Sequence, residues 1–219
     1  MKKLFVFDLD GTLVNSLYDL GDAMNHVLKS HGIEVHEYEK YKYFVGNGTL
    51  KLVERAVSEE FRTPERIEAL HKEFAENYRR CALNKTRPYE GITQLLETLK
   101  GKGAKLAVAS NKPDEFTKLI VNTLFRQGLF DAVSGKQEGS PTKPAPDIMY
   151  RIMDQLGVSA EESIHSGDSD VDVLTAHNAG MECIGCTWGF RTGEELERAG
   201  ADYIVDKPEE ITVLVEGDL

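Results

Sequence analysis

Three cysteines in a chain of 219 residues are too few, and odd in number, for a disulfide framework. A chain this long also buries a sizeable core without such staples. Cys183 and Cys186 have the spacing of a redox pair, but they fall in an apolar run, 181–185, that reads as a strand. Residues three apart on a strand point to opposite faces, so packed thiols are the expectation. No stretch approaches the roughly 20 apolar residues that span a bilayer. The apolar segment behind Lys2 and Lys3 meets Asp8 too soon for a secretion signal, so a cytoplasmic location is expected. Basic residues are also scarce, with 26 Lys plus Arg against 37 Asp plus Glu and a net charge of −11, which argues against a nucleic-acid partner. A small phosphorylated ligand in a locally positive pocket remains compatible with that charge. No cluster of His and Cys has zinc-ligand spacing, and no internal repeat is evident.

What the chain does have begins at residue 4. Leu-Phe-Val-Phe runs straight into Asp8 and Asp10, followed by Gly11, Thr12 and Leu13. A short continuous apolar run ended by a turn signal reads as a buried strand of a parallel sheet. The two carboxylates then sit at its carboxyl end, where open α/β sheets bind ligands. Two acids placed together repel each other and raise each other's pKa unless a cation or a shared proton intervenes. An Asp-Gly turn after a strand is common in itself; the whole string is far more specific.

Further strand-like runs occur at 105–109, 131–134, 163–166, 181–185 and 203–205. Helical patterns at 91–100, 114–124, 147–156, 171–179, 193–199 and 208–215 alternate with them, which implies βαβ units and a parallel sheet. Residues 15–85 break the alternation. Leu17, Leu20, Met24, Val27 and Leu28 follow amphipathic helical spacing. A second helix is expected from Thr49 through Val57, and a third from Pro64 to Cys81 with proline in its first turn. The expected organisation is an α/β core from 1–14 and 86–219, with a helical cap at 15–85 inserted after the first strand.

Three later places carry candidate chemistry. Ser110, in Ser110-Asn111-Lys112-Pro113, ends the second strand where a helix begins. A hydroxyl and free N–H groups there suit an anion, and the same residues can cap the helix. Lys143, in Thr142-Lys143-Pro144-Ala145-Pro146, is held on a proline-stiffened loop. A lysine taken singly is usually a solvated surface charge, and the prolines only weaken that reading. Gly167-Asp168-Ser169-Asp170-Val171-Asp172 places three acids after the fourth strand. Asp168 points best into the crevice, Asp172 also suits a helix start, and Asp170 is read as a first-turn charge. Oxygen-only ligands of this kind suit Mg2+.

In this order the residues resemble the four motifs of the haloacid dehalogenase (HAD) superfamily, whose largest branch is phosphatases, and the resemblance covers essentially the whole chain. It implies a Rossmann-like sheet of order 3-2-1-4-5 flanked by helices. It further implies Asp8 as nucleophile forming an aspartyl-phosphate and Asp10 as general acid and base. Phosphate binding would fall to Ser110, Asn111, Lys143, Gly11 and Thr12. Mg2+ would be held by Asp8, the Asp10 carbonyl and Asp168, with Asp172 acting through water.

Asp10 favours phosphatases over dehalogenases, phosphonate hydrolases and P-type ATPases. Sugar phosphomutases of this type carry a cap histidine where Leu20 stands, which counts against a β-phosphoglucomutase-type enzyme. Phe44 through Ala56 resembles the cap segment of phosphoglycolate phosphatases, with Gly46, Asn47, Gly48 and Lys51 as specificity residues. Two glycines before a helix leave N–H groups free for a small carboxylate; an ordinary glycine-rich turn would look alike. The segments Thr187-Trp188-Gly189-Phe190-Arg191 and 201–205 resemble the same subfamily. The expectation is a Mg2+-dependent phosphatase of a small phosphorylated metabolite, 2-phosphoglycolate first, acting as monomer or homodimer. Pyrophosphatase and broad sugar-phosphate phosphatase are the alternatives. A receiver-type phospho-acceptor would need an Asp after the third strand, where Val133-Ser134-Gly135 stands. A catalytically dead scaffold should lack a motif residue, and none is missing. The six histidines receive no role.

Overall fold

The structure is a computed structural model that describes residues 2–217, with the side chains of 215–217 left out. An end expected to fray, 216–219, extends beyond the described residues. The central strand is β1 (Leu4–Phe7), and all four of its residues are buried. Alternate side chains feed opposite faces: Phe5 and Phe7 join one apolar cluster, Leu4 and Val6 another. β1 pairs in parallel with β4 (Lys105–Pro113) on one side and β6 (Ser163–Gly167) on the other. Outside these lie β5 (Ala132–Lys136), β7 (Glu182–Cys186) and β8 (Tyr203–Val205), giving the order β5-β4-β1-β6-β7-β8. Counted among the core strands alone, this is the expected 3-2-1-4-5 with a sixth strand at one edge.

Helices cover both faces. α5 (Ile92–Gly101), α6 (Asp114–Leu124) and α10 (Pro208–Gly217) contribute to the cluster around Phe5 and Phe7. α7 (Asp147–Leu156), α8 (Asp170–Asn178) and α9 (Gly193–Ala199) cover the other face. Cys183 and Cys186 are both free and fully buried in β7, and burial pushes both thiols well above their usual range. They are packed residues. Among the described residues, no helix is long and apolar enough to cross a membrane.

Between Val14–Asn15 (β2) and Arg87–Pro88 (β3) the chain makes four helices: α1 (Leu17–Ser30), α2 (Tyr38–Phe44), α3 (Thr49–Ala56) and α4 (Pro64–Cys81). They share a third apolar cluster that draws in Phe116 and Phe190 from the α/β part. α4 starts as its sequence suggests, with Pro64 in the first turn and the Thr63 hydroxyl accepting the Arg66 N–H. α2 has no counterpart in the sequence reading. It is seven residues long and buries only Tyr41, so it has no apolar stripe to detect.

β2 and β3 form a small antiparallel pair, Val14 opposite Pro88 and Asn15 opposite Arg87, so the two crossings lie side by side. Asp19 of α1 ties them. It is 1% exposed, and its carboxylate accepts the N–H groups of Lys85 and Thr86 and the Thr86 hydroxyl. Removing that acceptor strands two buried donors of Thr86 and the half-buried Lys85 N–H. Asp19→Ala should therefore lower unfolding free energy by roughly 2–4 kcal/mol, read by urea denaturation; a change within 0.5 kcal/mol, about that of an ordinary surface substitution, would contradict the tie.

Candidate active site

Asp8 is the first residue after β1, and its N–H continues the pairing with β6 by donating to the Ser166 carbonyl at 2.9 Å. The chain then turns at Gly11, whose φ is +95°, and a Cβ there would stand 2.2 Å from Asp168 Oδ2. Gly189, in the loop after β7, approaches the same side chain, where a Cβ would meet the Asp168 Cβ at 2.3 Å. Glycine at both places leaves the space that Asp168 fills. Asp168 Oδ1 accepts the Thr12 hydroxyl at 3.1 Å, and Oδ2 accepts the Phe190 N–H at 2.7 Å.

Asp172 lies in the first turn of α8 and closes a capping box with Ser169, whose N–H and hydroxyl donate to Oδ2 at 3.2 and 2.6 Å. Its other oxygen faces the site. Lys143 Nζ donates to that Oδ1 at 2.7 Å, to Asp8 Oδ1 at 2.7 Å and to the Ala109 carbonyl at 2.9 Å. His165, fully buried on β6, sits with Nε2 3.2 Å from Asp172 Oδ1 and Nδ1 3.0 Å from the Val6 carbonyl. The histidine given no role is thus part of the seat of Asp172.

The electrostatics follow from burial. Asp8, Asp168 and Asp172 are 8%, 2% and 2% exposed. Burial pushes the Asp8 carboxyl up to about 7; the Lys143 ammonium pulls it down, and Asp172 and Asp10 push it up. Asp168 is held well above the usual range by burial and by the charges of Asp172 and Asp8. Asp172 goes the other way: burial opposes its charge, but Lys143 and His165 hold it low. Lys143 is held above its ordinary value, its own burial outweighed by Asp172 and Asp8. One ammonium among three carboxylates leaves the site short of positive charge. One oxygen from each acid lies within 4.8 Å of the others, and among the described residues this is the one acidic group close enough to hold a metal ion. An all-oxygen donor set with excess negative charge fits a hard divalent cation.

Asp10 faces a different lysine. Lys112 Nζ lies 2.8 and 2.9 Å from its two carboxylate oxygens, and the Ser16 hydroxyl donates to Oδ1. Lys112 reaches it because β4 is irregular. Ala109 pairs with Ser134 and Pro113 with Lys136, so four steps along β4 match two along β5. Such a bulge re-aims side chains. Ser110, Asn111 and Lys112 are all buried. A small cavity opens beside them, lined by Asp8, Asp10, Ser110, Asn111 and Lys112 from the α/β part and by Leu20, Gly46, Gly48 and Thr49 from the helical segment.

Asp8, Asp10, Ser110, Lys143, Asp168, Asp172, Gly46 and Gly48 are therefore gathered around one crevice. Five other expected site residues have partners within the protein. The Gly11 N–H donates to the Val14 carbonyl, and the Thr12 hydroxyl donates to Asp168 Oδ1. The Asn111 amide brackets the Lys143 backbone, accepting its N–H at 2.8 Å and donating to its carbonyl at 3.0 Å, and also donates to the Gly46 carbonyl at 3.0 Å. Asn47 Oδ1 accepts from Arg55, and Lys51 pairs with Glu54 on the outer face of α3. Helical periodicity explains Lys51: Leu52, Val53 and Ala56 form the buried face, leaving 51 outside. Lys112 was the missed residue. Its signal was an unassigned lysine beside Ser110, while Asp10 had no cation of its own.

Buried acids facing a lysine at the switch point of a parallel sheet, beside a cavity, make a candidate active site that could hold a metal ion. Residues 5–186 match the haloacid dehalogenase-like hydrolase family. The phosphoglycolate phosphatase of Aquifex aeolicus is 31% identical over 99% of this chain and 98% of its own. That of Colwellia psychrerythraea is 33% identical over 97% and 96%. A crystal structure from Lactobacillus delbrueckii subsp. bulgaricus, 33% identical, superposes with a TM-score of 0.94 over all of both chains. The chain belongs to the haloacid dehalogenase-like hydrolases and is a phosphatase of that family.

The raised carboxyls predict a proton balance. Near pH 7 the cation-free site holds a proton on Asp8 about half of the time, Asp168 is shifted in the same direction, and a divalent cation needs such protons gone. Mg2+ binding should release protons, and affinity should rise as pH climbs through about 7. Calorimetry in buffers of different ionisation enthalpy reads this; identical heats in all buffers would contradict it.

Proposed function

We propose that this phosphatase hydrolyses a small phosphate monoester, 2-phosphoglycolate being the best candidate, through an aspartyl-phosphate on Asp8 with Mg2+ as cofactor. The observation that carries the reading is Lys143, whose amine bridges Asp8 and Asp172 at 2.7 Å each beside the cavity. A phosphate dianion repels a carboxylate nucleophile, so positive charge must stand at Asp8 before the two can meet.

In this reading an Asp8 oxygen forms a bond to phosphorus as the bond to the alcohol oxygen breaks, and the leaving oxygen takes a proton from Asp10. A water then attacks the phosphorus and gives its proton to Asp10. The Asp8–phosphorus bond breaks, and inorganic phosphate and the starting carboxylate result. The covalent intermediate divides one hard displacement into two easier ones. Ser110 donates its hydroxyl to a phosphoryl oxygen. Lys143 balances the charge of Asp8. Mg2+, held by Asp8, Asp168 and the Asp10 carbonyl, with Asp172 acting through water, would neutralise the phosphoryl charge. Both oxygens of Asp172 already have protein partners, which favours its indirect place.

We assign 15–85 to a cap over a core of 1–14 and 86–219. Adjacent crossings at β2 and β3 and a separate apolar cluster support this. The cap presents Gly46, Gly48 and Thr49 to the cavity. Gly48 has a φ of +89° and a Cβ there would lie 3.4 Å from the Asn111 carbonyl, so this backbone fits closely and its N–H groups suit a substrate carboxylate. Leu20 in the same wall offers no proton-transfer group, which disfavours mutase chemistry.

Hydrolysis of 2-phosphoglycolate, a hexose phosphate, pyrophosphate and para-nitrophenyl phosphate should require Mg2+ and fall to background in Asp8→Asn. Undiminished turnover by Asp8→Asn would sink the mechanism, and a clear preference for pyrophosphate would sink the substrate. Gly48→Ala should raise KM for 2-phosphoglycolate more than for para-nitrophenyl phosphate; equal shifts would remove the carboxylate role of this loop.

A further inference from the structure

We infer that Lys112 is a positioning residue for the Asp10 carboxylate, holding it in the orientation in which it exchanges protons with the leaving and attacking oxygens. The inference rests on the proposed role of Asp10. Lys112 is 3% exposed, and a buried ammonium is costly unless its partners are in place. Its partners are specific. The amine meets both oxygens of Asp10, at 2.8 and 2.9 Å, and the Ser16 hydroxyl adds a third contact on Oδ1. Three contacts from two donor groups on two oxygens fix the plane of the carboxylate. The other side of the amine lies 4.7 Å from the centre of the Tyr78 ring on α4, a favourable cation–π placement.

The lysine is itself held. Its N–H donates to Ser110 Oγ at 3.2 Å, and its carbonyl accepts the Thr117 hydroxyl at 3.2 Å. Lys143, by contrast, serves Asp8 and Asp172, so the two lysines divide the acids between them. Positioning matters because proton transfer needs hydrogen-bond reach, and a misplacement of about 1 Å can cost about 10²-fold.

The test compares Lys112→Met, Lys112→Arg and Asp10→Asn on phenyl phosphate, whose oxygen leaves poorly, and on dinitrophenyl phosphate, whose oxygen leaves without a proton. The constant kcat/KM covers the steps through phosphoryl transfer to Asp8. Lys112→Met should lose on the order of 10²-fold on phenyl phosphate and only about 3-fold on dinitrophenyl phosphate, chiefly in kcat. Lys112→Arg should recover part of the loss. Asp10→Asn combined with Lys112→Met should be no slower than Asp10→Asn. Equal losses on both substrates, or additive losses in the double variant, overturn the inference. Should Lys112→Met fail to fold, Ser16→Ala weakens the same clasp and should give the same pattern at smaller amplitude; an equal loss on both substrates there overturns it as well. A leaving-group dependence in Asp10→Asn without one in Lys112→Met sinks this inference alone; its absence from Asp10→Asn sinks the reading of Asp10 too.

Discussion

The crowding of three buried carboxylates around one lysine ammonium is the constraint that the rest of this fold answers. Water cannot screen Asp8, Asp168 and Asp172, so each must find donors in the protein. Asp172 takes three, from Lys143 and both groups of Ser169, with His165 Nε2 3.2 Å from the same Oδ1. Asp168 takes two, from Thr12 and the Phe190 backbone. Asp8 has the lysine. That gradient matches the acidities: the best-supplied carboxyl is held low and the other two are raised. Asp8 and Asp168 are thus the carboxyls left short of donors, the two that a bound cation would relieve most. Glycine at 11 and 189 follows from the same crowding, since any side chain would collide with Asp168.

The irregular end of β4 does the corresponding work on the opposite side of Asp8. In a regular strand, residues 110 and 112 would share one face and 111 the other. The bulge gives three consecutive residues three separate tasks. Ser110 turns to the cavity, Asn111 grips the backbone of Lys143, and Lys112 clasps Asp10. Asn111 therefore acts on the site through Lys143, which it holds at both the N–H and the carbonyl. Rigid backbone on this side is what lets one lysine reach two acids and a carbonyl at once.

Much of this is legible in the sequence because it is local. An apolar run that meets an acid declares a buried strand and its functional end, and the order of such runs declares the sheet. Side-chain partnership is the part that is not local. Thr12 and Gly11 look like anion-loop residues until the fold brings Asp168 against them. Lys112 looks like a solvated lysine until the bulge, which no spacing announces, turns it to Asp10. His165 reads as a strand residue because its partner lies seven positions away on another element. Lys51 is the exception, since the helical spacing of its neighbours already places it outside.

Contacts between the helical segment and the α/β part follow a pattern of their own. Asn111 donates to the Gly46 carbonyl, and Arg191 donates to the carbonyls of Lys42 and Val45 while lying over the Tyr43 ring. The hydrogen bonds into residues 42–46 take backbone acceptors, Arg79 of α4 pairs with Glu115 of α6 at 2.8 Å, and Phe116 and Phe190 add apolar burial. The cavity wall is made by the same stretch, from Gly46, Gly48 and Thr49. One stretch thus does both: its carbonyls bind the α/β part, and Gly46, Gly48 and Thr49 line the cavity.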